Sequence, residues 1–223
     1  MTVLFTTADA ILRGHSGNPV ATARPSRAPV LLVIGVAFGV AYGAVMGTFA
    51  DAAGVRPAQV VYSAVKVPLL LGVTFVIALP SFFVLNTLLG VRGDFPAVLR
   101  ALIATQAGLT IVLASLAPLT AVWYLSVGDY DAAILFNAGM FGVASVAAQR
   151  LLRRHYRPLV ARNPVHRRLI RVWLCAYAFV GVQMGWVLRP FIGHPDAPVQ
   201  FFRDGAWGNA YVELVGIVAR ALG

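Results

Sequence analysis

Residues 67–90 carry no charged side chain. A bilayer hydrocarbon core of about 30 Å is crossed by roughly 20 helical residues, so this one stretch is long enough to span it. Inside lipid every backbone N–H and C=O must be satisfied internally, which leaves helices and closed barrels. Barrel strands alternate apolar and polar residues over about ten positions. An unbroken apolar run does not, and reads as a helix.

Residues 29–50, 101–127, 132–149 and 172–188 are also free of charge. The last is short, and Arg171 and Arg189 at its ends can snorkel to the headgroups. The expected fold is therefore all-α, a polytopic helical membrane bundle of about five transmembrane helices. Composition agrees: 59% of residues are hydrophobic and 12% charged, against about 25% charged in soluble domains. That excludes a disordered chain, a coiled coil and an ordinary soluble enzyme. A single cysteine excludes a disulfide scaffold.

The net charge of +10 would suggest nucleic acid in a soluble protein. Here its distribution reads as topology. Arg13, Arg24 and Arg27 precede the first span, Arg92 and Arg100 follow the second, and eight arginines lie in residues 150–171. The other side collects Arg56, Lys66, Arg189, Arg203 and Arg220. Thirteen against five predicts a cytoplasmic N-terminus and an outer-face C-terminus in a bacterial inner membrane, with no nucleic-acid partner. Three regions follow. Residues 1–28 form a flexible cytoplasmic lead, with no basic region ahead of its short apolar patch as a signal peptide would have. Residues 29–189 form the five-helix transmembrane domain. Residues 190–223 form an outer-face aromatic tail.

Gly35, Gly39, Gly43 and Gly47 repeat every four residues in the first span and fall on one helix face. Glycine lets backbones approach closely, and close packing drives helix association in lipid. The stripe predicts a helix-packing seam, within the bundle or with another subunit. Pro80 and Pro118 lie inside the second and third spans. Each frees the carbonyl four residues earlier, at Val76 and Ala114, and predicts a kink. Ser115 is a candidate partner for the second of these carbonyls. Pro57 suits the first turn of a short surface helix, turning into the second span at Pro68.

None of the five stretches holds an ionisable residue of the kind that marks ion-coupled transport. Gln183 is read as a cross-helix hydrogen bonder and Cys175 as a small buried hydrophobe. His155 and His166 are eleven apart with no carboxylate between them, which is not a metal-ligand spacing, and both are read as solvated. His194, Asp196, Asp204 and Glu213 are the one grouping of catalytic residue types, with no nucleophile or metal motif beside them. No catalytic residue, metal or cofactor is assigned.

Arg150, Arg153, Arg154, Arg157, Arg167 and Arg168 alternate with Leu151, Leu152, Leu159, Leu169 and Ile170. Such a segment lies on the cytoplasmic leaflet and meets anionic lipid, at about 1 kcal/mol per basic residue. In the tail, Phe201, Phe202, Trp207 and Tyr211 are candidates for docking a partner. Asn209, Glu213, Gly216 and Arg220 share one face of an amphipathic C-terminal helix too short to span.

Residues 66–90, KVPLLLGVTFVIALPSFFVLNTLLG, and 181–202, GVQMGWVLRPFIGHPDAPVQFF, resemble an uncharacterised group of bacterial multi-pass inner-membrane proteins. The first segment, with five spans and a cytoplasmic N-terminus, is also similar to the Yip1 domain superfamily. In eukaryotes that resemblance implies trafficking scaffolds that bind small GTPases, and it brings no catalytic motif. The functional expectation is a non-enzymatic integral membrane subunit that scaffolds or stabilises a larger membrane assembly, with lipids and other membrane subunits as partners. The alternative is a transporter or channel for a neutral or lipidic substrate, which Pro80, Pro118 and the amide side chains motivate.

Overall fold

The computed structural model describes residues 28–49, 56–194, 196–203 and 205–212. The lead, and the amphipathic helix beyond residue 212, lie outside them. The described chain is all-helical: α1 (Ala28–Met46), α2 (Pro57–Leu88), α3 (Phe95–Ser126), α4 (Tyr130–Arg162) and α5 (Val165–Leu188). All five are long and apolar enough to cross a membrane. At its end the tail enters a further helix at Ala210.

Local chemistry sets the ends. α2 ends in a left-handed Gly90 (φ 73°). Val91 N–H returns to the Asn86 carbonyl and Gly90 N–H to that of Thr87, the glycine-capped pattern that satisfies orphan carbonyls. The Asp129 carboxylate accepts from Ala132 N–H at 2.7 Å and caps α4. Asn163 turns the chain between α4 and α5, its side-chain oxygen accepting from Val165 N–H at 3.0 Å.

Several boundaries differ from the sequence reading: α1 ends at Met46 and α3 begins at Phe95, and two further differences bear on function. α2 is one helix of 32 residues that passes through Pro68, with no separate surface helix before it. α4 continues through Pro158 to Arg162, so residues 150–171 are a helical hairpin and not a loop. Hydropathy drops there, but helical period does not. Leu151, Leu152, Tyr156 and Leu159 are buried, as are Leu169 and Ile170 across the turn, while the arginines face outward.

α3 is the central helix. In its most apolar window 61% of residues are buried, against 17–28% in the other four. α1 packs between α2 and α3, α3 against α4, and α5 mainly on α2. Near the arginine-bearing hairpin, Phe82, Leu102, Leu152, Tyr156, Leu169 and Trp173 form one core. Tyr42, Met46, Val67, Leu113, Ala144 and Ile192 form the core toward the other end. Large apolar side chains such as Leu125 and Leu135 point outward, as a lipid-facing surface requires.

Pro80 and Pro118 both lie on exposed faces of their helices. The Ser115 hydroxyl donates to the Val112 carbonyl at 2.7 Å rather than to Ala114. Cys175 is exposed, not buried, because α5 turns that face away from α2.

Candidate functional site: two polar ends of an apolar bundle

The glycine stripe lies against the protein's own helices. A Cβ on Gly47 would sit 2.7 Å from Val60 Cα. One on Gly43 would collide with the Ser63 carbonyl oxygen and lie 2.9 Å from Ala64 Cα. At Gly39 the nearest atom is Pro68 Cβ at 3.4 Å, and at Gly35 it is Ala107 Cα of α3 at 3.9 Å. The contact between α1 and α2 is closest at the C-terminal end of α1 and opens toward Gly35.

That closeness positions the first half of α2, where Gln59, Ser63 and Lys66, with Arg56 just before the helix, face the returning chain after α5. This strap is irregular, so its carbonyls need external donors. Lys66 Nζ donates to the Pro190 carbonyl at 2.6 Å. Phe191 carbonyl accepts from Ser63 Oγ at 2.5 Å and from Gln59 Nε2 at 3.3 Å. Arg56 donates to the carbonyls of His194 and Ala197. Lys66 is fully buried, with its ammonium 4.9 Å from the centre of the Phe201 ring. The sequence reading puts this lysine on a short surface helix of the first outer loop, because it begins the second span at Val67. The continuous helix starting at Pro57 was the signal that would have placed it inside.

Between the ends, Asn137 joins three helices. Its Oδ1 accepts from Tyr42 Oη at 3.0 Å, and its Nδ2 donates to Tyr124 Oη at 2.6 Å and to the Ala133 carbonyl at 2.8 Å.

The tail then runs back along α5. Gln183 donates to the Gly208 carbonyl and accepts from Ala210 N–H, both at 3.0 Å. Tyr211 stacks on Phe179 with ring centres 4.6 Å apart, and its hydroxyl donates to the Phe179 carbonyl. Phe201 packs on Tyr62 at 5.3 Å. Two of the four aromatic docking candidates, Phe201 and Tyr211, therefore hold the tail to its own helices. Phe202 and Trp207 face outward, 41% and 81% exposed. Gln183 bonds the tail and not a neighbouring helix of the bundle.

No family model matches the chain, and neither does any curated protein or solved structure.

At the opposite end, Arg150, Arg153, Arg154 and Arg157 line one groove between α3 and α4. Arg153 and Arg157 also border a second groove with Arg167 and Arg171. Arg168 lines neither. His155 and His166 are buried rather than solvated. Helix continuity turns both inward, and His166 Nε2 meets Asp94 Oδ2 at 2.9 Å, tying the start of α5 to the turn before α3. His194 and Asp196 form a local turn in which Asp196 N–H donates to His194 Nδ1 at 3.2 Å. Asp204 and Glu213 lie outside the described residues. Among the described residues no group of three His, Cys, Asp or Glu side chains is placed to hold a metal. What the described side chains offer is two surfaces, an aromatic strap and an arginine-lined hairpin.

Lys66→Met keeps the side chain's length and removes its donor. A hydrogen bond from a charged group contributes roughly 1.5–3 kcal/mol. The strap should open more often, and in a Cys175→Ser background a cysteine placed at the buried Ile192 should react with maleimide about tenfold faster. An unchanged rate would mean that Arg56, Gln59 and Ser63 hold the strap without it.

Proposed function

We propose that the protein is a non-enzymatic integral membrane subunit that stabilises a larger membrane assembly, and that it docks through Phe202 and Trp207. Trp207 carries the reading. It is 81% exposed on a segment whose neighbours are pinned, by Gln183 to Gly208 and Ala210 and by Arg203 over the Trp186 ring at 4.9 Å. Tryptophan is enriched among residues that dominate interface energetics. Phe179 and Val182 are also exposed on α5, the helix to which Gln183 and Tyr211 fasten the tail, so the partner this surface suits is another apolar membrane helix. The basic distribution supports a bacterial inner membrane, with the arginine hairpin in the cytoplasm and the strap on the outer face.

The test is blue-native electrophoresis after mild detergent extraction. Trp207→Ala should leave insertion intact and lower partner retention about tenfold or more, the loss of a typical interface anchor. Deleting residues 203–223 should abolish retention. A truncated protein that keeps every partner at wild-type stoichiometry, or a wild-type protein that migrates alone, would end this reading.

A second reading, a transporter for a lipidic substrate, is favoured by an apolar groove of about 160 Å³ between α1, α2 and α3, bounded by Gly35, Pro68, Gly72, Phe75, Gln106 and Thr110. Lipid flux by partner-free protein in vesicles would favour it over docking.

A further inference from the structure

We propose that the arginine hairpin is a stoichiometric binding site for a membrane lipid carrying two phosphates, of the diphosphatidylglycerol class. This stands independently of the docking reading. Arg150, Arg153, Arg154 and Arg157 make no hydrogen bond or ion pair among the described residues, although they crowd two turns of one helix. Four unneutralised cations held together repel one another, and an anion relieves that repulsion.

The walls beneath them specify the anion. The first groove, of about 520 Å³, continues from the arginines onto Gly108 and Val112 of α3 and Ala147, Ala148 and Leu151 of α4. From Arg157 to Ala147 is ten helical residues, or about 15 Å. A phosphate at the charged end would therefore lead an acyl chain along small apolar residues toward the membrane interior. A soluble phosphate has no use for that half of the groove. Basic clefts between membrane helices are suited to such headgroups.

The second groove specifies the number of phosphates. It holds about 620 Å³ on the other side of Arg153 and Arg157, which border both, and adds Arg167 and Arg171 above Tyr156, Val160 and Ile170. Arg171 also donates to the Arg167 carbonyl at 3.4 Å, which orients it within the hairpin. A phosphodiester carries one negative charge, too little for six arginines around two adjoining grooves. A lipid with two linked phosphates would place one in each, with Arg153 and Arg157 between them.

The full chain, stripped of lipid in mild detergent and examined by native mass spectrometry, tests this. The probes are diphosphatidylglycerol, phosphatidylglycerol at twice its molar amount, and pyrophosphate. Diphosphatidylglycerol should remain at one per protein and bind about tenfold tighter than phosphatidylglycerol at matched charge. Pyrophosphate should not bind. Arg153→Gln and Arg157→Gln should each weaken retention about fivefold or more, and Arg168→Gln, exposed on the same hairpin and outside both grooves, less than about twofold. Ala147→Leu, which narrows the first groove and keeps every charge, should weaken it as well. Equal retention of phosphatidylglycerol, or an equal loss in Arg168→Gln, would reduce the hairpin to a general basic surface and overturn the site. Tight pyrophosphate binding would overturn the lipid and leave an anion site.

Discussion

Replacing Gly43 by alanine is expected to remove most of the folded protein, while Gly142→Ala leaves its yield unchanged or slightly higher. In an exposed helix alanine is favoured over glycine by about 1 kcal/mol, and a Cβ on Gly142 meets nothing within 4 Å. At Gly43 the sign reverses. The added carbon meets the Ser63 carbonyl and the Ala64 backbone, which cannot move aside as a flexible side chain would. Overpacking typically costs 1–3 kcal/mol, and against backbone the upper end or about 3 kcal/mol is expected. Gly47→Ala should behave like Gly43→Ala, Gly39→Ala should be mild, and Gly35→Ala should be tolerated. Monodisperse yield from extracted membranes measures the series. Equal yields across it would mean that α1 can retreat from α2 at little cost.

Asn137→Ala is expected to lower stability by roughly 2–3 kcal/mol, or about 4–12 °C in thermal unfolding. The substitution deletes three hydrogen bonds, to Tyr42, Tyr124 and Ala133, and leaves two tyrosine hydroxyls without that partner inside the bundle. Cross-helix hydrogen bonds in membranes contribute about 0.6 kcal/mol on average, and Tyr124 keeps a hydrogen bond to the Met46 carbonyl at 3.4 Å, so the loss comes from the three deleted bonds together with the cavity left by the amide. The added effect of Tyr42→Phe should be smaller in the Asn137→Ala background than in the wild type. Simple additivity would show that the two residues do not act together.

The five helices were legible because uncharged runs of this length have few other solutions. Their ends were less so, for two physical reasons. Pro68 reads as a break, yet α2 passes through it, as membrane helices do where neighbouring groups satisfy the freed backbone. The fall in hydropathy at Arg150 reads as a loop, although period rather than hydropathy decides whether a helix continues. Both errors hid buried polar groups: Lys66 in the first case, His155 and His166 in the second. The glycine stripe was visible in α1, but the residues it faces are properties of α2 and α3 and leave no mark in α1 itself. In the tail, which aromatics point inward depends on the path of an irregular strap. Phe201 and Phe202 are adjacent in sequence and differ in burial for that reason.

The strap also sets a timetable. Lys66 and the Pro190 carbonyl it meets are 124 residues apart, whereas Gly43 and Ser63 leave the ribosome close together. At about 5–20 residues per second, roughly 6–25 s of synthesis separate the lysine from its acceptor. The α1–α2 pair can close early. Gln59, Ser63 and Lys66 must wait, with the ammonium held toward hydrated headgroups on its flexible stem. Burial of Lys66 is therefore a late event in biogenesis, and an exposed lysine at this position marks a nascent chain whose strap has not yet arrived.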